Sequence, residues 1–324
     1  MPYMHIASGI MILVAGSAFF TVRYLRAPKQ ARFPAWGWGG LVIIGGSELG
    51  LMVGSYWIRA FFTPTVWTGY LLLADGCVHA LRGKSRLVGS SGQFFALAFW
   101  SVPLWLIFEA YNLRMKNWTY TGLPATPSLD LFGYVWSFAT IWPAIFETSD
   151  FIDALGFFRT QGRPHIRVPR TTLATLTVSG LAMISAPLVV TEQYSRYLFA
   201  LVWIGFILLL DPLNYAWGGE SLLGDWQEGK PARFEGFLAS GVVCGFLWEF
   251  WNYWAGAKWK YIFPIAQGWK IFEMPWPGYL GFPPFALECF VMYEFLRTLR
   301  RRLLRRPAKK QVVGGWRSLP GPQP

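Results

Sequence analysis

Blocks of about 20 apolar residues, separated by short polar segments, run through most of this 324-residue chain. A block of that length crosses the hydrocarbon core of a bilayer as an α-helix. Charged residues make up only 14% of the chain, whereas a typical soluble domain carries about 25%. The sequence therefore predicts an all-α, polytopic membrane protein with no soluble domain of any size between its helices.

We expect about nine transmembrane helices. Only Met1 to Met4 precede the first of them, without a basic region or an Ala-x-Ala cleavage site, which predicts a retained helix and not a signal peptide. The predicted spans cover approximately residues 5–25, 35–57, 61–80, 91–113, 131–157, 172–192, 196–217, 235–255 and 277–297.

The basic residues indicate how the chain crosses the membrane. Most of its 29 lysines and arginines lie in alternate loops and in the C-terminal tail, which the positive-inside rule places in the cytoplasm. With nine spans, this predicts a cell-membrane protein with its N-terminus outside. The basic run Arg300 to Lys310 adjoins a membrane helix, so we expect it to contact anionic lipid headgroups and not nucleic acid.

One motif of acidic, amide and aromatic residues occurs twice with closely matching spacing. Each copy reads Glu-x-x-Asn, then Trp-x-Tyr, then Pro-x-x-x-Glu, and the first two residues share a helix face because they are three apart. The first copy contains Glu109, Asn112, Trp118, Tyr120, Pro143 and Glu147, and the second contains Glu249, Asn252, Trp259, Tyr261, Pro284 and Glu288.

A second pair of matching segments lies upstream of each motif. The stretch from Trp67 to Asp75 aligns with that from Trp203 to Asp211, and a serine follows each aspartate at the same distance. We therefore predict two tandem four-helix repeats of the same orientation, related by a pseudo-two-fold axis along the membrane normal. The predicted divisions are an N-terminal helix with a basic loop (1–33), repeat 1 (34–170), repeat 2 (171–298) and a basic, partly disordered tail (299–324).

The repeat places carboxyl groups inside apolar spans, where each costs about 2.5–3.5 kcal/mol by insertion scales. One interpretation is structural: the acids bond across helices and hold the repeats together. The other is that they line a cavity and donate protons, because an apolar medium favours a neutral carboxyl group. Aromatic residues, 19% of the chain, would stabilise a carbocation there through their π faces. A neutral carboxyl group beside aromatic rings could protonate an isoprenoid alkene without a metal or redox cofactor.

Together, these residues resemble the membrane-embedded lycopene cyclase family, over the third to fifth and the seventh to ninth spans. The shared features are duplicated helices, a glutamate near an external Trp-x-Tyr, and a helix with proline shortly before glutamate. The family pattern has adjacent glutamates after the proline, whereas this chain has single ones. The resemblance implies acid-initiated cyclisation or isomerisation of a carotenoid-like lipid, with Glu147 and Glu288 as acids and Glu109 and Glu249 as their partners.

The remaining motif residues are candidates for contacting the substrate. In this hypothesis the binding residues are the asparagines and aromatic residues of both motifs and the upstream aspartates: Asn112, Asn252, Trp118, Trp259, Tyr120, Tyr261, Asp75 and Asp211. The aromatic external segments also suit the membrane interface, so a lid over a cavity and a plain interfacial position both remain open.

Three other functions remain open. Glu147, Asp150 and Asp153, with Arg159 and Arg163 following, form a pattern that could hold Mg²⁺ and a diphosphate, although it also suits an interfacial acidic cap. Parallel repeats with acids near the midplane also suit a proton-coupled carrier, and a non-catalytic scaffold is the last alternative. Three separate cysteines and three scattered histidines form no recognisable metal or disulfide framework, so the sequence predicts no cofactor.

Overall fold

The computed structural model describes residues 2–158 and 165–304 of the chain. Arg159, Arg163 and the part of the predicted tail from residue 305 onward lie outside these ranges. The described chain is 76% helical with very little sheet, which confirms the all-α prediction. The helices are α1 (Pro2–Arg26), α2 (Ala35–Met52), α3 (Tyr56–Arg82), α4 (Arg86–Gly89), α5 (Ser91–Met115), α6 (Pro127–Ala154), α7 (Arg170–Val189), α8 (Glu192–Ser195), α9 (Phe199–Ala216), α10 (Leu222–Gln227), α11 (Ala232–Trp254) and α12 (Phe282–Leu304).

Five of the described helices are long and apolar enough to cross a membrane: α1, α5, α6, α7 and α9. Large apolar side chains also lie exposed on the helix surfaces, among them Val42 (73%), Leu113 (81%) and Val178 (66%). Exposed apolar surface of this extent is unusual on a soluble monomer and typical of a membrane or partner contact. The long helices and the exposed apolar surface are those of a multi-pass membrane protein.

The helices pack around two central members, α6 and α12. Helix α6 contacts α3, α5 and α11, while α12 contacts α9, α11 and α5, and α2 and α7 pack on the outer sides of α3 and α9. Glycines allow the closest approaches: a Cβ atom on Gly69 would lie 2.9 Å from the Gly40 carbonyl oxygen, and one on Gly205 would lie 3.1 Å from the Ile184 nitrogen. Small residues at such contacts are characteristic of helix pairs in membranes.

Two short strand pairs lie at one end of the bundle, which we call the strand end. Strand β1 (Trp118–Thr121) pairs antiparallel with β2 (Lys258–Tyr261), so that Trp118 faces Tyr261 and Tyr120 faces Trp259. Strands β3 (Lys270–Ile271) and β4 (Met274–Pro275) form a hairpin, followed by a 3-10 helix over Trp276–Gly281. The Trp-x-Tyr segments of both motifs therefore meet in one small sheet.

Candidate functional site

The first motif folds into a hydrogen-bonded cluster at the strand end. Glu109, near the end of α5, accepts three bonds at Oε1: from Trp105 Nε1 (2.9 Å), from Trp118 Nε1 (3.2 Å) and from the Tyr120 hydroxyl group (2.5 Å). A carboxylate that accepts several donors fixes the orientation of each ring. Glu109 therefore holds three aromatic side chains in place.

The second motif forms a related cluster around Glu249, which is fully buried. The Tyr261 hydroxyl group donates to Glu249 Oε1 at 2.8 Å, and Trp259 Nε1 donates to the Tyr261 oxygen at 2.9 Å. Burial, and then the charge of the adjacent glutamate, raise the pKa of Tyr261 well above its ordinary value, and Glu109 acts on Tyr120 in the same way. Both tyrosines therefore stay protonated as hydrogen-bond donors.

The two asparagines of the motifs bind the backbone of the strands and do not line the cavity. Asn112 Nδ2 donates to the Trp118 carbonyl oxygen at 2.9 Å, and its Oδ1 accepts from the backbone of Trp118 at 3.1 Å. Asn252 makes the same two bonds to Trp259, at 2.9 and 3.0 Å. Each asparagine thus ties the end of a helix to the strand that follows.

Beneath the β1–β2 pair lies a cavity of about 350 Å³, within the range for small-molecule sites. Its walls are largely apolar and aromatic. Four motif residues that the sequence singled out line it: Trp118, Tyr120, Trp259 and Tyr261. Further aromatic lining comes from both halves of the chain: Trp67, Trp105, Phe108, Tyr134, Phe138, Tyr197, Phe199, Trp203, Trp248, Phe263, Phe282 and Phe285.

Five polar atoms of cavity-lining residues are buried without a hydrogen-bond partner in the described chain: Thr63 Oγ1, Trp67 Nε1, Asn117 Oδ1, Asp130 Oδ1 and Arg196 Nε. Such atoms are uncommon in folded proteins, and here they border an open space. None of these five residues was singled out as a site residue from the sequence. The repeat could not reveal Thr63, Asn117, Asp130 or Arg196, because the matching positions in the other copy carry different residue types.

The deeper glutamates of the motifs lie elsewhere. Glu147 and Glu288 are both fully buried and are not among the residues that line the cavity. The nearest cation to Glu147 is Arg86, whose Nε lies 3.7 Å from Oε1 and 2.7 Å from Asp150 Oδ2. Neither oxygen of Glu288 has a hydrogen-bond partner among the residues that the structure describes. The role of these two as acids stays a prediction, and the structure brings neither to the aromatic cavity.

The upstream aspartates anchor short helices at the opposite end of the bundle. Asp75 accepts from Trp36 Nε1 (2.9 Å), from the Ser85 hydroxyl group (2.8 Å) and from the Leu87 backbone (3.0 Å). Asp211 accepts from the backbone nitrogens of Leu222 and Leu223, at 2.7 and 2.9 Å. These contacts to the first residues of α4 and α10 account for the conserved spacing between aspartate and serine in the two copies, and neither aspartate lines the cavity.

No known family, curated protein or solved structure matched this chain. Within the described ranges, no three or more histidine, cysteine, aspartate or glutamate side chains are grouped as a metal site would require.

Proposed function

We propose that this protein is an integral membrane enzyme that binds an isoprenoid-type lipid in the aromatic cavity and acts on it by acid-initiated cyclisation or isomerisation. The observation that carries the proposal is the cavity itself, a largely aromatic space with several rings held by Glu109 and Glu249. Nine membrane spans, two tandem repeats and an outward-facing strand end belong to the same proposal.

The proposed repeats are supported by the order and packing of the elements. From α2 to α6 the chain forms helix, helix, short helix, helix, strand and helix. From α7 to α12 it forms the same series, with the short α8, the β3–β4 hairpin and the 3-10 helix added. The paired strands β1 and β2 are matching segments, and their antiparallel register is what a two-fold axis through the pair would give. The axis would pass beside the facing residues Thr119 and Lys260.

The residues that line the cavity also come in matching pairs from the two proposed repeats. Matching positions of the two copies occur together in its walls: Trp67 with Trp203, Phe108 with Trp248, Trp118 with Trp259, Tyr120 with Tyr261, and Ile141 with Phe282. A cavity built this way lies between the two copies and not inside one of them. It would therefore hold a single ligand that contacts both.

The chemistry of the walls favours an unsaturated hydrocarbon chain. Burial of apolar surface contributes about 25 cal/mol for each Å² removed from water. Ring faces also stabilise positive charge that develops on an alkene carbon during the reaction. An isoprenoid has both properties, because its repeated trisubstituted alkenes form tertiary carbocations on protonation.

The acid step needs a proton donor that can reach the ligand. On the cavity wall the candidate is Asp130, which has one oxygen free of partners. The hydroxyl groups of Tyr120 and Tyr261 already donate to Glu109 and Glu249 and retain their protons. The proton would add to one alkene carbon, a second alkene would close the ring on the resulting cation, and a neighbouring carbon would return a proton to the conjugate base. The step is redox-neutral, and Glu147 and Glu288 would take part only through a relay.

Expression in a host that makes isoprenoids tests the proposal. Lipid extracts should contain a cyclised or isomerised product with the native protein, and lose it with Ser137→Trp, which fills the cavity, and with Asp130→Asn. The matched controls are Val135→Trp, on the outer face of the same helix, and Asp153→Asn, at its exposed end; both should keep the product. Unchanged extracts with and without the native protein would overturn the enzymatic proposal, and proton-dependent flux into proteoliposomes would favour a carrier.

A further inference from the structure

Two of the unpartnered polar atoms in the cavity wall belong to neighbouring residues. Asn117 directly precedes β1, its side chain is almost fully buried, and its Nδ2 donates to the Arg196 carbonyl oxygen at 2.9 Å. This bond fixes the orientation of the amide group, because only the nitrogen can donate to a carbonyl oxygen. Asn117 Oδ1 is therefore an acceptor without a donor.

Arg196 supplies the complementary group. One of its terminal nitrogens donates to the Ile262 carbonyl oxygen at 2.9 Å, whereas its Nε is buried and free. No carboxylate of the described chain forms an ion pair with Arg196. The wall thus presents a charged N–H donor and an amide acceptor on two residues joined by a hydrogen bond.

A hydrogen-bonding ligand is indicated because leaving such groups unsatisfied costs about 1–3 kcal/mol each. A hydroxyl group satisfies both, since its oxygen accepts from Arg196 Nε while its hydrogen is donated to Asn117 Oδ1. A carboxylate, ketone or ether can only accept, which would leave Asn117 without a donor. A plain hydrocarbon satisfies neither group.

We propose that the ligand of the cavity is a lipid alcohol, with its hydroxyl group bound between Arg196 and Asn117 and its hydrocarbon chain along the aromatic walls. This inference rests on the proposed function and narrows it, because a pure hydrocarbon substrate would leave this polar pair unused.

The hydroxyl site belongs to one end of the cavity only. The positions that match Asn117 and Arg196 in the other copy are Lys258 and Ala60. Lys258 is already engaged, with its Nζ 3.3 Å from Glu273 Oε1 and 2.8 Å from the Tyr253 carbonyl oxygen, and alanine offers no polar side chain. The ligand would therefore lie in one orientation within a cavity of otherwise matching halves.

Binding of three probes with one hydrocarbon skeleton tests the proposal on the native protein in detergent: geranylgeraniol, its methyl ether and the corresponding hydrocarbon. Quenching of tryptophan fluorescence measures the affinity. We expect the alcohol to bind about tenfold more tightly than the hydrocarbon, as one net hydrogen bond gives, with the ether between them. Equal affinity of the three probes would overturn the hydroxyl site and leave the proposed function standing, whereas no binding of any probe would overturn both.

Variants test whether Arg196 and Asn117 are the residues that bind the hydroxyl group. Arg196→Met should reduce the affinity for the alcohol to that for the hydrocarbon and leave the affinity for the hydrocarbon unchanged, and Asn117→Leu should act similarly. Arg114→Met is the matched control, since this arginine lies at the same end of the bundle and does not line the cavity. Tighter binding of geranylgeranoic acid than of the alcohol would contradict the proposal and indicate an acidic lipid.

Discussion

The four repeated glutamates form two pairs with opposite surroundings. The outer pair, Glu109 and Glu249, accepts hydrogen bonds from aromatic side chains that line the cavity. The inner pair, Glu147 and Glu288, is fully buried, yet its oxygens have no hydrogen-bond partner in the described chain. Recurrence in both copies therefore does not by itself say what a buried acid does.

The two pairs therefore act in different parts of the molecule: the outer pair supports the cavity wall, and the inner pair lies away from it. Removal of an outer glutamate leaves its donors unsatisfied, so its effect should spread to the cavity wall. Removal of an inner glutamate relieves an unsatisfied group unless a cation depends on it. The two copies differ in that respect, because Arg86 stands beside Glu147 while the matching position in the second copy is Leu222.

The largest effect is expected at Glu109. Glu109→Leu should lower the free energy of unfolding by roughly 4 kcal/mol, because three donors, from Trp105, Trp118 and Tyr120, lose their acceptor at about 1–3 kcal/mol each. Chemical unfolding in detergent measures it, and Glu192→Leu, an exposed change at the same end of the bundle, should have little effect. A loss as small as that of the control would mean that the cluster does not stabilise the wall.

A somewhat smaller loss is expected at Arg86. Arg86→Met should destabilise the protein by about 3 kcal/mol, because Glu147 and Asp150 would lose their cation in a buried setting. Adding Glu147→Gln to the same chain should recover part of that loss, since the amide carries no charge. Strict additivity in this double-mutant cycle would show that Arg86 and Glu147 are not coupled.

At Glu288 we expect a substitution to stabilise the protein, in contrast to Glu109 and Arg86. Glu288→Leu should raise the free energy of unfolding by about 1 kcal/mol, because it removes a buried polar group without partners and keeps most of the volume. The matched change Glu147→Leu should not stabilise, since it removes a partner of Arg86. Destabilisation by Glu288→Leu would reveal a contact that supports the inner pair.

The smallest effect concerns alkaline pH. Burial beside Glu249 raises the pKa of Tyr261, so above pH ~10 the unfolded chain loses this proton while the folded chain retains it. Stability should therefore fall as pH rises beyond this point, by up to about 1.4 kcal/mol per pH unit from this group. Tyr261→Phe should make the fall shallower, whereas Tyr197→Phe, at an exposed tyrosine, should not; equal slopes would contradict the prediction.

The helical, multi-pass architecture could be predicted because apolar blocks of membrane length report it directly. The matched spacing of the two motifs also singled out the Trp-x-Tyr residues, which line one cavity. Spacing could not separate Tyr120, which lines the cavity, from Asn112, which holds a strand, because both recur at closely matching distances from the glutamate in the two copies. That distinction depends on the pairing of β1 with β2, a contact between distant parts of the chain.

Four of the polar residues of the cavity could not be predicted from the sequence, for a related reason. Thr63, Asn117, Asp130 and Arg196 occupy positions where the two copies differ, and similarity between copies was the signal used to choose candidates. Asn117 belongs to a different class of candidate: a polar residue, inside a segment that matches between the copies, at a position where the copies differ. Arg196 precedes α9, and its contacts with Asn117 and Ile262 join parts of the chain that are distant in sequence.

Photo-crosslinking tests the central claim, that one isoprenoid-type lipid lies between the two halves, most directly. A prenol carrying a diazirine, irradiated with the purified protein and mapped by mass spectrometry, should label cavity residues of both halves, such as Phe138 and Phe282. This labelling should disappear in Ser137→Trp and persist in Val135→Trp. Labels confined to exposed lipid-facing residues such as Leu113 and Val178, unchanged by Ser137→Trp, would contradict the account.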